Sequence, residues 1–514
     1  MRGGYSGVTL LNAAPPLAPR VFAATVPAME RRMVPLILAA ALAAAPALAA
    51  DPAPLSQRVE ARLAEAGPGP RFGLVVATED GRELIAIAPD ARFIPASNTK
   101  MFTTAAAYSA LPGLDRPDSE GGAAVRLEAF GRGAPDVVLE GRGDARLSSS
   151  PDCLRDCLAA LADSVAAATR TVRHVVGDDS LFPDQRWSPG MSWNNIPTRS
   201  GTATSALSLD DNELPIRVHP TAPGQPPRLE MLPYYKVDNR AVTVAAGETA
   251  LEYDRLPGSR DVRLTGRIAA GAEPERLRLG IDDPAHYAAW RFKALLEARG
   301  VRVAGDVAVR HRRPGPGDDP AVRKGAPPAR PPRTEPLARL VPPPLAEDIA
   351  AINKASQNLH SELLLRRVGR VAGTGSLADG LAAVRDMLAR AGVPRAGYDF
   401  SDGSGMSTYN RVAPRAMIGF LRWAAAQPWG AEWRSSLPVG GVDGTLARRF
   451  KGSALEGRIF AKTGTLNATN ALSGYLTAKS GRTLLFSAYA NDVPEGVEAT
   501  AAIDAALVMI AEAN

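Results

Sequence analysis

Lysine is scarce in this chain: it supplies eight of the 60 basic side chains, and arginine supplies the rest. One of the eight, Lys100, stands one helical turn after a serine, Ser97. Cysteine is scarcer still. Two residues, Cys153 and Cys157, exclude a multi-disulfide scaffold and leave too few ligands for a structural zinc site. Their spacing allows a bridge, because residues four apart in a helix have Cα atoms about 6 Å apart. It equally allows two small buried side chains. The five histidines, His174, His219, His286, His311 and His360, lie in no H-E-x-x-H, and the chain has no G-x-S-x-G beside them. That argues against a zinc protease and a Ser-His-Asp hydrolase, and the histidines read as structural or surface groups. No metal or cofactor is expected. The net charge of +6 is spread among acids rather than gathered in blocks interleaved with aromatics, so a nucleic-acid partner is not expected.

Long apolar runs are also missing, with one exception. MERRMVPLILAAALAAAPALAADP, from Met29, has a basic start, a short apolar run and the small-x-small site Ala47-Leu48-Ala49. That is the pattern of a secretory signal cleaved near Ala49, and the run is short for a bilayer span of about 20 residues. Export is expected, with no membrane anchor left after cleavage; residues 1–28 carry no targeting pattern of their own.

At 514 residues, with 45% hydrophobic and 22% charged side chains, the chain is globular and too long for one core. GLVVATEDGRELIAIAP (73–89) reads as a hairpin turning at Asp80-Gly81, and TTAAAYSAL as a helix stopped by Pro112-Gly113. Near the other end, RIFAKTGTL, ALSGYLTA and TLLFSAYAND read as strands, and EGVEATAAIDAALVMIAEA as a helix. Hairpins at both ends predict one sheet closed by both termini. Between them, AVRLEAF, DVVLEG, LPIRVHP, AVTVAAG and VRLTGRIAA are short strands set among Gly and Pro. We therefore expect an N-terminal extension and signal over 1–49 and a first part of the main domain over 50–115. A mostly β insertion with a Pro-rich return linker fills 116–342, and the second part of the main domain spans 343–514. LAEDIAAINKASQNLHSELLLRRVG reads as helix, with an apolar face at 3.6 spacing.

Three short motifs carry chemistry. In ARFIPASNTKMF, Ser97 and Lys100 stand three apart, and on a helix they share a face. A neutral lysine there can take the serine proton, and burial beside a second cation is what makes a lysine neutral. Ser356-Gln357-Asn358 offers a hydroxyl and an amide to one cleft. Lys462-Thr463-Gly464-Thr465, on a predicted strand, supplies a cation and two hydroxyls for a carboxylate, with Gly464 allowing close backbone approach. Each motif alone is weak. In this order, S-x-x-K, S-x-N and K-T-G are the signature of active-site serine β-lactamases and penicillin-binding proteins.

With ALSLDDNELPIRV, SDGSGMSTYNRVAPRAMIGFL, SSLPVGGVDGTLARRFKGSALEGRIFAKTGTLNATNALSGYL and GRGDARLS, the chain resembles the class C low-molecular-mass penicillin-binding proteins, D-alanyl-D-alanine carboxypeptidase/endopeptidases. The long insertion between the first two motifs is typical of that group and not of β-lactamases. The resemblance implies an α/β (α+β layered) transpeptidase domain of the penicillin-binding/serine β-lactamase type, with a mostly β accessory domain inserted. It implies a periplasmic hydrolase acting on peptidoglycan peptides, with β-lactam antibiotics as covalent inhibitors. Ser97 would be the nucleophile, Lys100 its base and Ser356 a proton shuttle. Asn358 would hold Lys100 and the substrate backbone, and Lys462, Thr463 and Thr465 the terminal carboxylate. The N–H groups of Ser97 and Thr465 would form the oxyanion hole. Asp144, in GRGDARLS, would face the amine of a stem-peptide diaminopimelate. Two departures stand out. Gln357 replaces the family's usual Asn or Asp, and Met406-Ser407-Thr408 replaces Leu-Ser-Arg, with Arg411 the nearest cation.

Overall fold

The computed structural model describes residues 53–328 and 334–514. The expected signal segment and its cleavage site lie outside them. Both ends of the chain build one antiparallel five-stranded sheet, in the order Ile459–Leu466, Thr469–Thr477, Thr483–Asn491, Arg71–Thr78, Glu83–Ile87. Strand alternation makes it two-faced. Leu74 and Val76 join a core with Leu484 and Phe486, covered by the helices Leu55–Ala64 and Ala499–Ala513 through Val59, Leu63, Ile503 and Leu507. Val75 and Ala77 point the other way, with Leu485 and Tyr489, into a core built on Met101, Phe102, Met417, Phe420 and Trp433. The sheet thus lies between two helical layers, as the strand and helix patterns predict.

The intervening stretch has its own core. A mixed five-stranded sheet runs Val307–Arg312, Val175–Pro183, Asp136–Glu140, Ala124–Glu128, Ala338–Arg339, and its first three strands are parallel. Smaller sheets include Glu213–His219 with Glu275–Gly280. The β content is as expected, but two helices, Leu158–Ala168 and Pro284–Glu297, also pack here. Parallel strands need crossovers, and the two helices occupy those connections. Cys153 and Cys157 are bridged, with Cα atoms 5.7 Å apart. They lie in the loop before Leu158 rather than in a helix. The Pro-rich return is pinned where it is described: Arg312 holds Asp318 at 2.7 Å, and Arg323 holds Asp379 at 2.9 Å.

Candidate active site

Ser97 lies in a single 3₁₀ turn, Ala96–Asn98, which runs straight into the helix Thr99–Ala110. The residue before it, Ala96, has a left-handed backbone with φ of 45°, a conformation costly for a residue with a Cβ. Two glycines clamp the turn. A Cβ on Gly405 would sit 1.9 Å from the Ala96 carbonyl oxygen, and one on Gly464 2.6 Å from that of Pro95. Gly464 therefore lets the strand pack against the turn that carries Ser97. Asn98 fastens the same junction by donating to the Lys462 carbonyl at 2.8 Å.

One turn on, Lys100 is wholly buried. Its Nζ meets three oxygens: Ser97 Oγ at 2.9 Å, Asn358 Oδ1 at 2.7 Å and the Ser404 carbonyl at 2.5 Å. Burial pulls its pKa down to about 7, against the opposing pull of the Asp402 and Glu362 carboxylates. A neutral amine has two hydrogens and one lone pair. With Asn358 and Ser404 offering only acceptors, the lone pair is left for the Ser97 hydroxyl.

The second motif departs from the sequence reading. The helical stretch is broken into Leu345–Lys354 and Asn358–Gly369, and Ser356 sits in the break with a left-handed φ of 59°. Local propensity favours helix throughout, so tertiary contacts impose the break. Lys354 pairs with Asp443 at 2.6 Å, and Gly444 packs under the Lys354 carbonyl. The break lets Lys462 Nζ donate to Ser356 Oγ at 2.9 Å. Lys462 is as buried as Lys100, and burial together with the charge of Lys100 holds it well below the usual lysine range. Two ammonium groups in one dry site oppose each other, so the pair favours one proton over two. Thr463 and Thr465 follow on the same strand, with Thr465 exposed. Asn358 also donates from its amide to the Ser200 carbonyl of the inserted region at 2.9 Å.

Other predicted residues fall elsewhere. Asp144 does not join this group. It is 5% exposed, accepts from the Arg146 N–H at 2.8 Å, and is held well above the usual carboxylate range by burial and by Asp156. Its carboxyl is buried facing Asp156. Thr408 gives its hydroxyl to the Gly190 carbonyl at 3.0 Å, and Arg411 donates to the carbonyls of Thr408 and Asn410. Gln357 reaches Asp211 of the inserted region at 3.1 Å, and His360 reaches the same carboxylate at 2.8 Å.

Sequence reasoning passed over the carboxylates behind Lys100. Glu362 accepts from the N–H groups of Gly403 and Ser404 at 2.9 and 2.8 Å. Asp402 accepts from Gly405, Ser407 and Asn410, and burial beside Glu362 raises it to about 6. Together they fix the loop whose carbonyl meets Lys100. The signal was available: Glu362 stands four residues after Asn358, on the same helical face.

The sequence profile of the D-Ala-D-Ala carboxypeptidase 3 (S13) family matches residues 55–513. A D-alanyl-D-alanine carboxypeptidase from Actinomadura sp. (strain R39) is 35% identical over 502 residues, covering 93% of this chain and 89% of that one. In structure the chain is similar to penicillin binding protein 4 of Haemophilus influenzae, with a TM-score of 0.71 and 21% identity, covering 85% of this chain and 94% of that one. The same protein complexed with a novel β-lactam gives a TM-score of 0.68 at 20% identity, covering 87% and 97%. The chain belongs to the D-Ala-D-Ala carboxypeptidase 3 (S13) family.

Proposed function

We propose that this D-Ala-D-Ala carboxypeptidase works through an acyl-enzyme on Ser97, formed when Lys100 takes the serine proton. The observation that carries the reading is the Lys100 amine, buried, lowered to about 7 and 2.9 Å from Ser97 Oγ. Ser97 Oγ bonds to the penultimate D-Ala carbonyl carbon while its proton passes to Lys100. The N–H groups of Ser97 and Thr465 receive the oxyanion, and a donor of that kind is worth about 10² to 10³ in rate. When the C–N bond breaks, Ser356, in contact with Lys462, relays a proton to the departing D-Ala amine. Water then hydrolyses the ester. The terminal carboxylate binds beside Lys462, Thr463 and Thr465. A carboxylate there favours the charged form of Lys462, which draws the shared proton away from Lys100 and leaves it free to act as base.

Peptidoglycan peptides are the substrate class, with cross-links as an endopeptidase substrate. β-Lactams acylate Ser97 because their amide mimics the dipeptide. The segment from Met29 with Ala47-Leu48-Ala49 supports export to the periplasm, and no helix among the described residues is long and apolar enough to cross a membrane. With Thr408 and Arg411 engaged on carbonyls, a free diaminopimelate end gains little from this loop. D-Ala release from acyl-D-Ala-D-Ala tests the reading. Wild type should release it and Ser97→Ala should not, at an unchanged melting temperature. Release by the variant would overturn the role of Ser97.

A further inference from the structure

Beside the Lys462-Thr463-Gly464-Thr465 strand lies a loop that none of the three motifs includes. It runs from Val439 to Leu446, and it is held from three sides. Asp443 accepts from the Val439 N–H at 2.9 Å and from Lys354 at 2.6 Å. Gly444 has a left-handed φ of 56°, and a Cβ there would stand 2.7 Å from the Lys354 carbonyl oxygen. Leu446 is wholly buried, and its carbonyl accepts from the Gly441 N–H at 3.0 Å. The residue between these anchors, Thr445, is exposed. Its hydroxyl lies 2.7 Å from the Thr463 hydroxyl.

We infer that Thr445 is a positioning residue for the substrate's terminal carboxylate, acting through Thr463. This rests on the proposed carboxylate site at Lys462, Thr463 and Thr465. A lone threonine hydroxyl rotates freely and its hydrogen has no fixed aim. Two hydroxyls in contact hold two hydrogens. One is used between them, and that bond polarises the other. With Thr445 donating to Thr463, the Thr463 hydrogen is left for the carboxylate beside Lys462. The loop is anchored on Lys354, two residues before Ser356, so the same contacts that break the second motif's helix also place Thr445. Preference for a free terminal carboxylate is thus set partly by a loop outside the motif.

The test uses two acyl-D-alanyl thioesters, one with a thioglycolate leaving group that carries a carboxylate and one with its methyl ester. Wild type should favour the free acid. Thr445→Val, which keeps the shape and removes the hydroxyl, should lower kcat/KM on the acid about 3- to 10-fold, mostly through KM, as expected for one neutral hydrogen bond. It should leave the ester unchanged, and Thr445→Ser should restore the acid. Thr445→Val added to Thr463→Val should cost nothing further. Equal losses on both thioesters, or no loss on either, would overturn the inference while leaving the carboxylate site standing. A wild type indifferent to the free acid would overturn the carboxylate site and this inference with it.

Discussion

Of the eight lysines, Lys100 and Lys462 meet the motif serines Ser97 and Ser356, and Lys354 holds Asp443 in the neighbouring loop. Arginine cannot replace Lys100 in the proposed chemistry, because its guanidinium stays protonated at any relevant pH. Lys100→Arg and Lys100→Met should both lose acylation by penicillin, by at least the 10² to 10⁴ typical of a general base. Stopped-flow or quenched mass analysis checks this, with circular dichroism to show that the fold persists. The pH profile follows from the same group. With Lys100 at about 7, its base form grows as pH rises, so the acylation rate should climb through an inflection near pH 7 and level off above it. A rate that is flat from pH 5.5 to 8.5 would contradict the assignment.

At the scale of elements, the helix Asn358–Gly369 carries both Asn358 and Glu362, so it touches Lys100 directly and again through the loop at 402–407. Glu362→Ala leaves two buried N–H groups unpaired, each costing about 1 to 3 kcal/mol, and should lower the melting temperature markedly. Glu362→Gln keeps an acceptor and loses less. In either variant an anion near Lys100 is gone. Since that anion raises the Lys100 pKa, the inflection of the acylation profile should move to lower pH; an upward move would contradict the assignment. Other elements were legible in advance. Ser97 and Lys100 share a helical face by spacing alone, and the terminal strands alternate clearly. The break at Ser356 was not legible, because KASQN reads as helix and the contacts that hold the break, Asp443 and Gly444 on Lys354, Asp211 on Gln357 and Lys462 on Ser356, all come from far along the chain. Nor was the parallel pairing of Val175–Pro183 with Val307–Arg312, whose partners are over a hundred residues apart.

The whole molecule depends on how the inserted region meets the two-ended domain. Asp211 reaches Gln357 and His360, the latter raised to about 9 against burial by the Asp211 and Asp348 carboxylates. Gln357 therefore has a structural contact that a motif reading could not supply. Asp144 belongs to this scale as well. GRGD reads as an open turn, but the carboxyl is buried facing Asp156. A carboxyl held above its unfolded value binds its proton more tightly in the folded chain. It favours the fold at low pH, and that contribution is lost as pH rises through the folded value. Asp144→Asn, which keeps a donor toward Asp156, should melt higher than wild type at pH 8, with the gap closing toward pH 4. Its kcat/KM on a stem peptide should be unchanged. A gap independent of pH, or a loss confined to diaminopimelate substrates, would return Asp144 to a surface role.

The central claim is that Ser97 is acylated with Lys100 as its base, and intact-mass spectrometry after exposure to penicillin tests it most directly. Wild type should gain the full mass of the antibiotic once per chain, on the peptide containing Ser97, while Ser97→Ala and Lys100→Arg gain none. An adduct on another peptide, or a normal adduct in either variant, would contradict the account.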